Sequence, residues 1–253
     1  SQQLKSWFNR CILSDANEKV VLYDDEIITL SISSEYRFHQ GRLSIYVANK
    51  TGAVLSNLLI SIPTYPHLAI KIADYNNSID SSNEIKVLVA VQALRPYDTY
   101  PNITVSFNIW KSPYSYTLDL PVVITNFFEA IAADKETYLT RWKSITGENL
   151  ESQEIFNSNK PVTTELVNYI RSKVFTALHI GVAQNLDGET TATGSASYRT
   201  GSATADGNLI AVGVMMRLEG DVNQHRFRLT IRAKHALVVQ GLRKLILGLL
   251  AKE

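Results

Sequence analysis

Hydrophobic and polar residues exchange places with a period of two through most of the first half of this chain. Ile28, Leu30 and Ile32 alternate with Thr29, Ser31 and Ser33, and Leu43, Ile45 and Val47 follow. The alternation returns at Leu68-Ile70-Ile72, Ile85-Val87-Val89-Val91, Ile103-Val105-Phe107-Ile109 and Tyr116-Leu118-Leu120. An extended chain sends successive side chains to opposite faces, so each run predicts a strand with one buried face. Turn clusters such as "NKTG", "YNNSIDSSN" and "RPYDTYPN" separate the runs. Many strands with no convincing helix predict an immunoglobulin-like antiparallel β-sandwich over residues 1–125.

Near Thr125 the period changes, and residues 126–253 read as a second unit in which helices pack on an antiparallel sheet. "DKETYLTRWKSI" (134–145) predicts a helix capped by Asp134, with Leu139, Trp142 and Ile145 at helical spacing. "ENLESQEIFN" (148–157) predicts a second, short helix and "TTELVNYIRSKVF" (163–175) a third. "NLIAVGVMMRLE" (208–219) and "RFRLTIR" (226–232) predict strands joined across "GDVNQH". "ALVVQGLRKLILGLL" places Leu237, Val238, Leu242, Leu245, Ile246, Leu249 and Leu250 on one broad, core-facing helical stripe. Residues 187–207, small, polar and glycine-rich, read as a solvated linker or hairpin insertion.

The two arginine-bearing strands put Leu218, Phe227, Leu229 and Ile231 on one face, and Arg217, Glu219, Arg226, Arg228 and Arg232 on the other. One natural register sets Glu219 opposite Arg226 and Arg217 opposite Arg228. Like charges directly opposed destabilise a hairpin unless an anion sits between them. Alternate arginines are ordinarily a solvated face, and a tryptophan within "YLTRWKS" is ordinarily a core residue. Together, guanidiniums beside an aromatic slab suit a ligand that carries a carboxylate and one or two rings.

The 253 residues, 45% hydrophobic and 19% charged, have the profile of a folded globular protein. A net charge of +1 argues against a nucleic-acid partner and against a polybasic membrane surface. Cys11 is the sole cysteine, so no intrachain disulfide can form and thiolate-rich metal sites are excluded. A free thiol fits the cytosol better than the glycosylation that the triplets at Asn49, Asn76 and Asn102 would suggest. No signal peptide or membrane-spanning run is present, and the start at "SQQLKSWF" reads as a domain cut from a longer chain. His39, His67, His179, His225 and His235 are scattered without metal-ligand spacing, and "DDE" (24–26) reads as a strand-entry turn. Neither a phosphate-cradling glycine motif nor a nucleophile elbow occurs. These absences favour a binding module over an enzyme, with no cofactor or metal expected.

The sequence resembles the appendage (ear) domain of alpha-adaptin, the large subunit of adaptor protein complex 2, from about Val20 to the C-terminus. "VVLYDDEIITLSISSEYRFHQGRLSIYVANKT", "NFFEA…YLTRWKSI" and "MRLE…FRLTIR" are similar to family stretches in the same order and spacing. The resemblance implies a β-sandwich followed by an α/β platform. It also implies recruitment of endocytic accessory proteins, whose disordered tails carry Asp-Pro-Phe, Asp-Pro-Trp and Phe-x-Asp-x-Phe motifs. Location on the cytosolic face of the plasma membrane, in clathrin-coated pits, is implied too, with other adaptor subunits bound through the rest of the longer chain and no direct membrane insertion. The platform tryptophan falls on Trp142, the arginines on Arg217, Arg228 and Arg232, and the glutamate on Glu219. The family's aromatic three residues before the tryptophan falls on Leu139, with Tyr138 just before it, so an aliphatic wall replaces a flat ring. On the sandwich, a second family site for Trp-x-x-Phe-type motifs places its aromatic on Tyr46, its lysine on Ser33 and its glutamine on Glu84. The lost cation and gained anion imply weaker binding of acidic peptides there. The 187–207 segment is longer than in animal relatives. Alternatives are the appendage of a related coat, beta-adaptin or coatomer gamma, and a structural domain without a peptide ligand.

Overall fold

The computed structural model describes residues 2–186 and 188–252. Two compact units divide it: Ser1–Leu94 with Tyr100–Val122, and Arg95–Thr99 with Val123–Glu253.

The alternating runs of the first unit are strands: β1 (Val20–Asp24), β2 (Ile28–Arg37), β3 (Gln40–Asn49), β4 (Leu55–Ser61), β5 (Leu68–Ile72), β6 (Glu84–Ala93), β7 (Asn102–Ile109) and β8 (Ser112–Asp119). They form a five-stranded sheet, β1-β2-β3-β6-β5, and a three-stranded one, β4-β7-β8. Ile28, Leu30, Leu43, Val47 and Val89 from the first are buried, as are Leu55, Val105 and Phe107 from the second, which is the core of a sandwich. Asp25 ties the sheets together. Its carboxylate accepts the N–H groups of Ile27 and Ile28, both at 2.8 Å, and the hydroxyls of Tyr23 at 3.2 Å and Tyr116 at 2.9 Å. Burial raises its pKa, but the Ile28 and Ile27 amides and the two hydroxyls outweigh that and hold it below the ordinary aspartate value.

A helix precedes the strands, contrary to the all-strand expectation for this half. α1 (Gln2–Leu13) lays Trp7 edge-on to Tyr23 and Phe8 against Tyr100, with ring centroids 6.0 and 4.9 Å apart. Cys11 lies on this helix, and burial pushes its thiol up to about 12.

The second unit holds β9 (Phe128–Ile131), α2 (Lys135–Ser144), β10 (Glu151–Asn157), α3 (Thr164–Tyr169), α4 (Phe175–Ala177), β11 (Gly181–Val182), β12 (Thr191–Ala203), β13 (Leu209–Asp221), β14 (Arg226–Ala233) and α5 (Ala236–Leu250). The sheet order is β10-β14-β13-β12-β11, with β9 also paired to β12. Asp134 caps α2 through the Thr137 N–H at 2.8 Å, and Thr163 caps α3 through the Leu166 N–H at 3.2 Å. The predicted 163–175 helix is α3 continued by a π-turn (Ile170–Val174) into α4. α5 buries Val238, Leu242, Leu245, Ile246 and Leu250 but leaves Leu237 exposed.

Two expectations are overturned here. Residues 151–157 are a strand, not a helix, paired along their length with β14. Glu154 pairs with Arg243 of α5, and the Phe156 ring lies 5.8 Å from that of Phe227, tilted by 38°. Those tertiary contacts override helix propensity. The glycine-rich segment is not a solvated linker either, but the first arm and turn of a hairpin, the alternative reading, with β12 reversing into β13 across residues 204–208. From Thr191 onward it is a central strand, with Ala192, Thr193, Ala196, Tyr198 and Thr200 buried; Asp187 lies outside the described residues. Its small side chains answer close neighbours: a Cβ on Gly194 would sit 2.5 Å from Ile180 and 2.8 Å from the Gly181 carbonyl oxygen.

Candidate peptide-binding site

The β13–β14 hairpin takes a register two residues away from the one expected. Glu219 faces Arg228, Arg217 faces Thr230, and Asp221 faces Arg226, so no like-charged pair is opposed. The loop sets this register: the Asp221 carboxylate accepts the N–H groups of Asn223 and Gln224, each at 3.0 Å, so the reversal closes right after it.

Every arginine of this face has a carboxylate. Glu219 is shared, with Arg228 at 2.7 Å on one oxygen and Arg217 at 3.3 Å on the other. Arg226 lies 3.8 Å from Asp221, and Arg232 lies 2.6 Å from Glu151 on β10. Four guanidiniums against three carboxylates leave a modest positive excess. The Arg217 and Arg228 side chains are about half exposed, at 45% and 50%, and free to re-pair with an incoming acid.

Trp142 meets this array at Arg232. Its ring stacks on Tyr138 at 5.7 Å and 24°, and the Arg232 guanidinium lies 4.7 Å from its centroid. Arg232 also donates to the Trp142 carbonyl at 2.9 Å. Tyr138, expected among the peptide contacts, is buried instead, packed with Ala133, Ile145, Ala183 and Met215. Its hydroxyl donates to the Met216 carbonyl at 3.0 Å. The helical stripe toward the core therefore runs through Tyr138 and Ile145, and Leu139 turns outward, 38% exposed. Trp142 is partly buried, packed against that same cluster. The structure thus brings Trp142, Arg232, Arg228, Arg217 and Glu219 to one face of the sheet. β10 adds Ile155, 60% exposed and paired with Arg228, which sequence reasoning missed because it assigned this stretch to a helix.

On the sandwich, Tyr46 lies on β3 with Lys86 directly opposite on β6. Ser33 is buried and faces Ser44. Glu84 is not a free anion, since Lys19 pairs with it at 2.6 Å. The Lys19 ammonium lies 4.3 Å from the Tyr46 ring centroid and that of Lys86 5.8 Å. Two ammonium groups thus lie near the Tyr46 ring, one from β6 and one from the segment before β1. A hydrogen bond with Ser33 lowers the Tyr46 hydroxyl pKa against the effect of burial, and Lys86, Ser44 and Lys19 lower it further.

Among the described residues no group of His, Cys, Asp and Glu is placed to hold a metal ion, and no helix is long and apolar enough to cross a membrane.

Residues 126–250 match the family model described as alpha adaptin AP2, C-terminal domain. The AP-2 complex subunit alpha-2 of Dictyostelium discoideum is 28% identical over 246 residues, 97% of this chain and 24% of that protein. The AP-2 complex subunit alpha of Schizosaccharomyces pombe is 25% identical over 232 residues, 90% of this chain and 25% of that protein. The AP-2 complex subunit alpha-1 of Arabidopsis thaliana is 24% identical over 181 residues, 71% of this chain and 17% of that protein. The chain spans about a quarter or less of the length of these relatives.

Proposed function

The chain belongs to the alpha-adaptin family, and from that premise we propose that it is an endocytic appendage that captures short aromatic and acidic motifs. The motifs are Asp-Pro-Phe, Asp-Pro-Trp and Phe-x-Asp-x-Phe, borne on disordered tails of accessory proteins. The setting proposed is the cytosolic face of the plasma membrane in clathrin-coated pits, with the other adaptor subunits engaged through the remainder of a longer polypeptide. One observation carries the reading: the Trp142 indole stacks on the Tyr138 ring and has the Arg232 guanidinium close by, beside arginines whose heads reach solvent.

The motif's ring lies against Trp142, Leu139 and Ile155, while its aspartate takes Arg228 from Glu219 and leaves that carboxylate with Arg217. Burying one ring contributes about 2–3 kcal/mol, and a charge-assisted hydrogen bond contributes about 1.5–3 kcal/mol. Exchanging one carboxylate for another trims the second term, and ordering a flexible tail costs several kcal/mol more. A single motif then binds at roughly micromolar affinity or weaker, and tails with repeated motifs gain through effective concentration. Tyr46 with Lys19 and Lys86 offers a weaker second contact of the same chemistry.

Calorimetric titration with an Asp-Pro-Trp peptide tests this. Trp142→Ala is expected to weaken binding by about two orders of magnitude, in line with the loss of a buried ring contact, and Arg228→Ala by about tenfold. Equal affinity in wild type and both variants removes the assignment.

A further inference from the structure

A cavity of about 260 Å³ opens between the last turn of α2 and strands β9, β12 and β13. Ile131, Ile145 and Met215 give it an apolar floor, and Arg141 and Lys234 bring two cations to its rim. No carboxylate lines it, and neither do Trp142, Arg217, Arg228 or Arg232. The contrast with the arginine face is direct: there each guanidinium already holds an acid.

Gly213 marks the cavity as open for a reason. Glycine weakens a strand interior, and it persists where the backbone needs a left-handed turn or where something approaches closely. Gly194 meets the second condition. Gly213 meets neither, since it is not among the positive-φ residues and a Cβ there would have no atom within 4 Å. What the missing side chain does is leave the cavity unfilled. Pairing of β14 with β13 ends at Val214 and Ala233, so the edge of β13 from 209 to 213 has no strand beside it on that side among the described residues. By alternation Leu209 and Ala211, both exposed, share the face of Gly213 and lead toward the cavity.

We propose that this cavity is a further peptide-binding site, separate from those at Trp142 and Tyr46, taking one Phe or Leu side chain next to a carboxylate from a disordered acidic segment. The volume is short of the roughly 300 Å³ at which small-molecule pockets begin, and suits one side chain. The apolar floor selects that side chain, and Arg141 and Lys234, neither in a close ion pair among the described residues although Arg141 acts on Asp134 at longer range, select the acid beside it. The site goes beyond the Trp142 reading and does not depend on it, although Arg141 and Trp142 are neighbours on one helix.

The test is amide NMR of the ¹⁵N-labelled chain titrated with acetyl-Glu-Asp-Phe-Asp-Ser-amide. Saturable shifts are expected at Ile145, Ser195 and Gly213. Gly213→Leu, which enters open space, is expected to abolish those shifts and leave the shifts around Trp142 in place. Lys234→Gln is expected to weaken the site roughly threefold, the scale of one exposed ion pair. Trp142→Ala is expected to leave it unchanged, so a failed Trp142 reading and a failed cavity give different spectra. The proposal falls if these amides do not move at millimolar peptide, or if the shifts survive Gly213→Leu. It falls equally if they vanish in Trp142→Ala, or if inorganic phosphate alone reproduces them.

Discussion

Trp142 and Tyr46 each lie close to a cation, with Arg232 at 4.7 Å and Lys19 at 4.3 Å from the ring centroid, yet their surroundings differ. Trp142 stacks on a buried ring anchored by its own hydrogen bond, and the guanidinium near it is fixed by Glu151 and by a backbone carbonyl. Tyr46 sits on a strand, and its lysines reach it on flexible stems. Lys19 is paired with Glu84, and both side chains are more than a third exposed. A planar guanidinium keeps its geometry through two or more hydrogen bonds, whereas an ammonium is a mobile point charge. The first arrangement spends little entropy when a ligand arrives; the second attracts acids but must order its own side chains to hold them.

The largest effect that would sharpen this contrast is on stability. Tyr138→Ala is expected to cost about 3–5 kcal/mol, as for other buried aromatic truncations, while Tyr46→Ala costs about 1 kcal/mol or less beyond the loss of its own partial burial. Urea denaturation of the two variants gives the comparison, and equal losses would erase it. Next in size is a cation swap. Arg232→Lys is expected to weaken Asp-Pro-Trp peptide binding about tenfold because stack and fork are lost together. Lys86→Arg should change the same affinity less than twofold (about 0.4 kcal/mol). Calorimetry at one salt concentration decides it. Smallest is an ionisation. The Ser33 hydrogen bond, with Lys86, Ser44 and Lys19, stabilises the tyrosinate of Tyr46, so its hydroxyl should deprotonate at lower pH than an ordinary tyrosine. Burial moves Tyr36 and Tyr198 the opposite way. In a spectrophotometric pH titration the earliest tyrosine phase should vanish in Tyr46→Phe and move to higher pH in Ser33→Ala. An unchanged first phase in both would show that Tyr46 titrates as an ordinary tyrosine.

Local pattern made much of this architecture readable. Alternation marked β2, β3, β6 and β7, and Asp134 and the apolar stripe marked α2 and α5. The hairpin partners were readable too, because Leu218, Leu229 and Ile231 must all face the core. The register was not, since it depends on the Asp221 side chain bonding two amides of the loop. β12 was unreadable for a different reason: small polar residues signal a loop in isolation, but here they are what fits between β13 on one side and β9 and β11 on the other. Lys19 and Lys86 carry no local mark at all. They reach Tyr46 only after three separate stretches of chain are brought side by side, as Ile155 reaches Arg228 only once β10 has paired.

The hydrogen bond from Arg232 to the Trp142 carbonyl has a further consequence. That oxygen belongs to the last turn of α2, where main-chain acceptors lack a partner within the helix. The side chain that leans on the indole is thus also a stopper for the helix that displays it. Truncating Arg232 would fray the display as well as subtract a contact, so its apparent share of any affinity would be inflated. Arg228, whose ion pair is with the side chain of Glu219, is the cleaner gauge of what a single guanidinium is worth to the ligand.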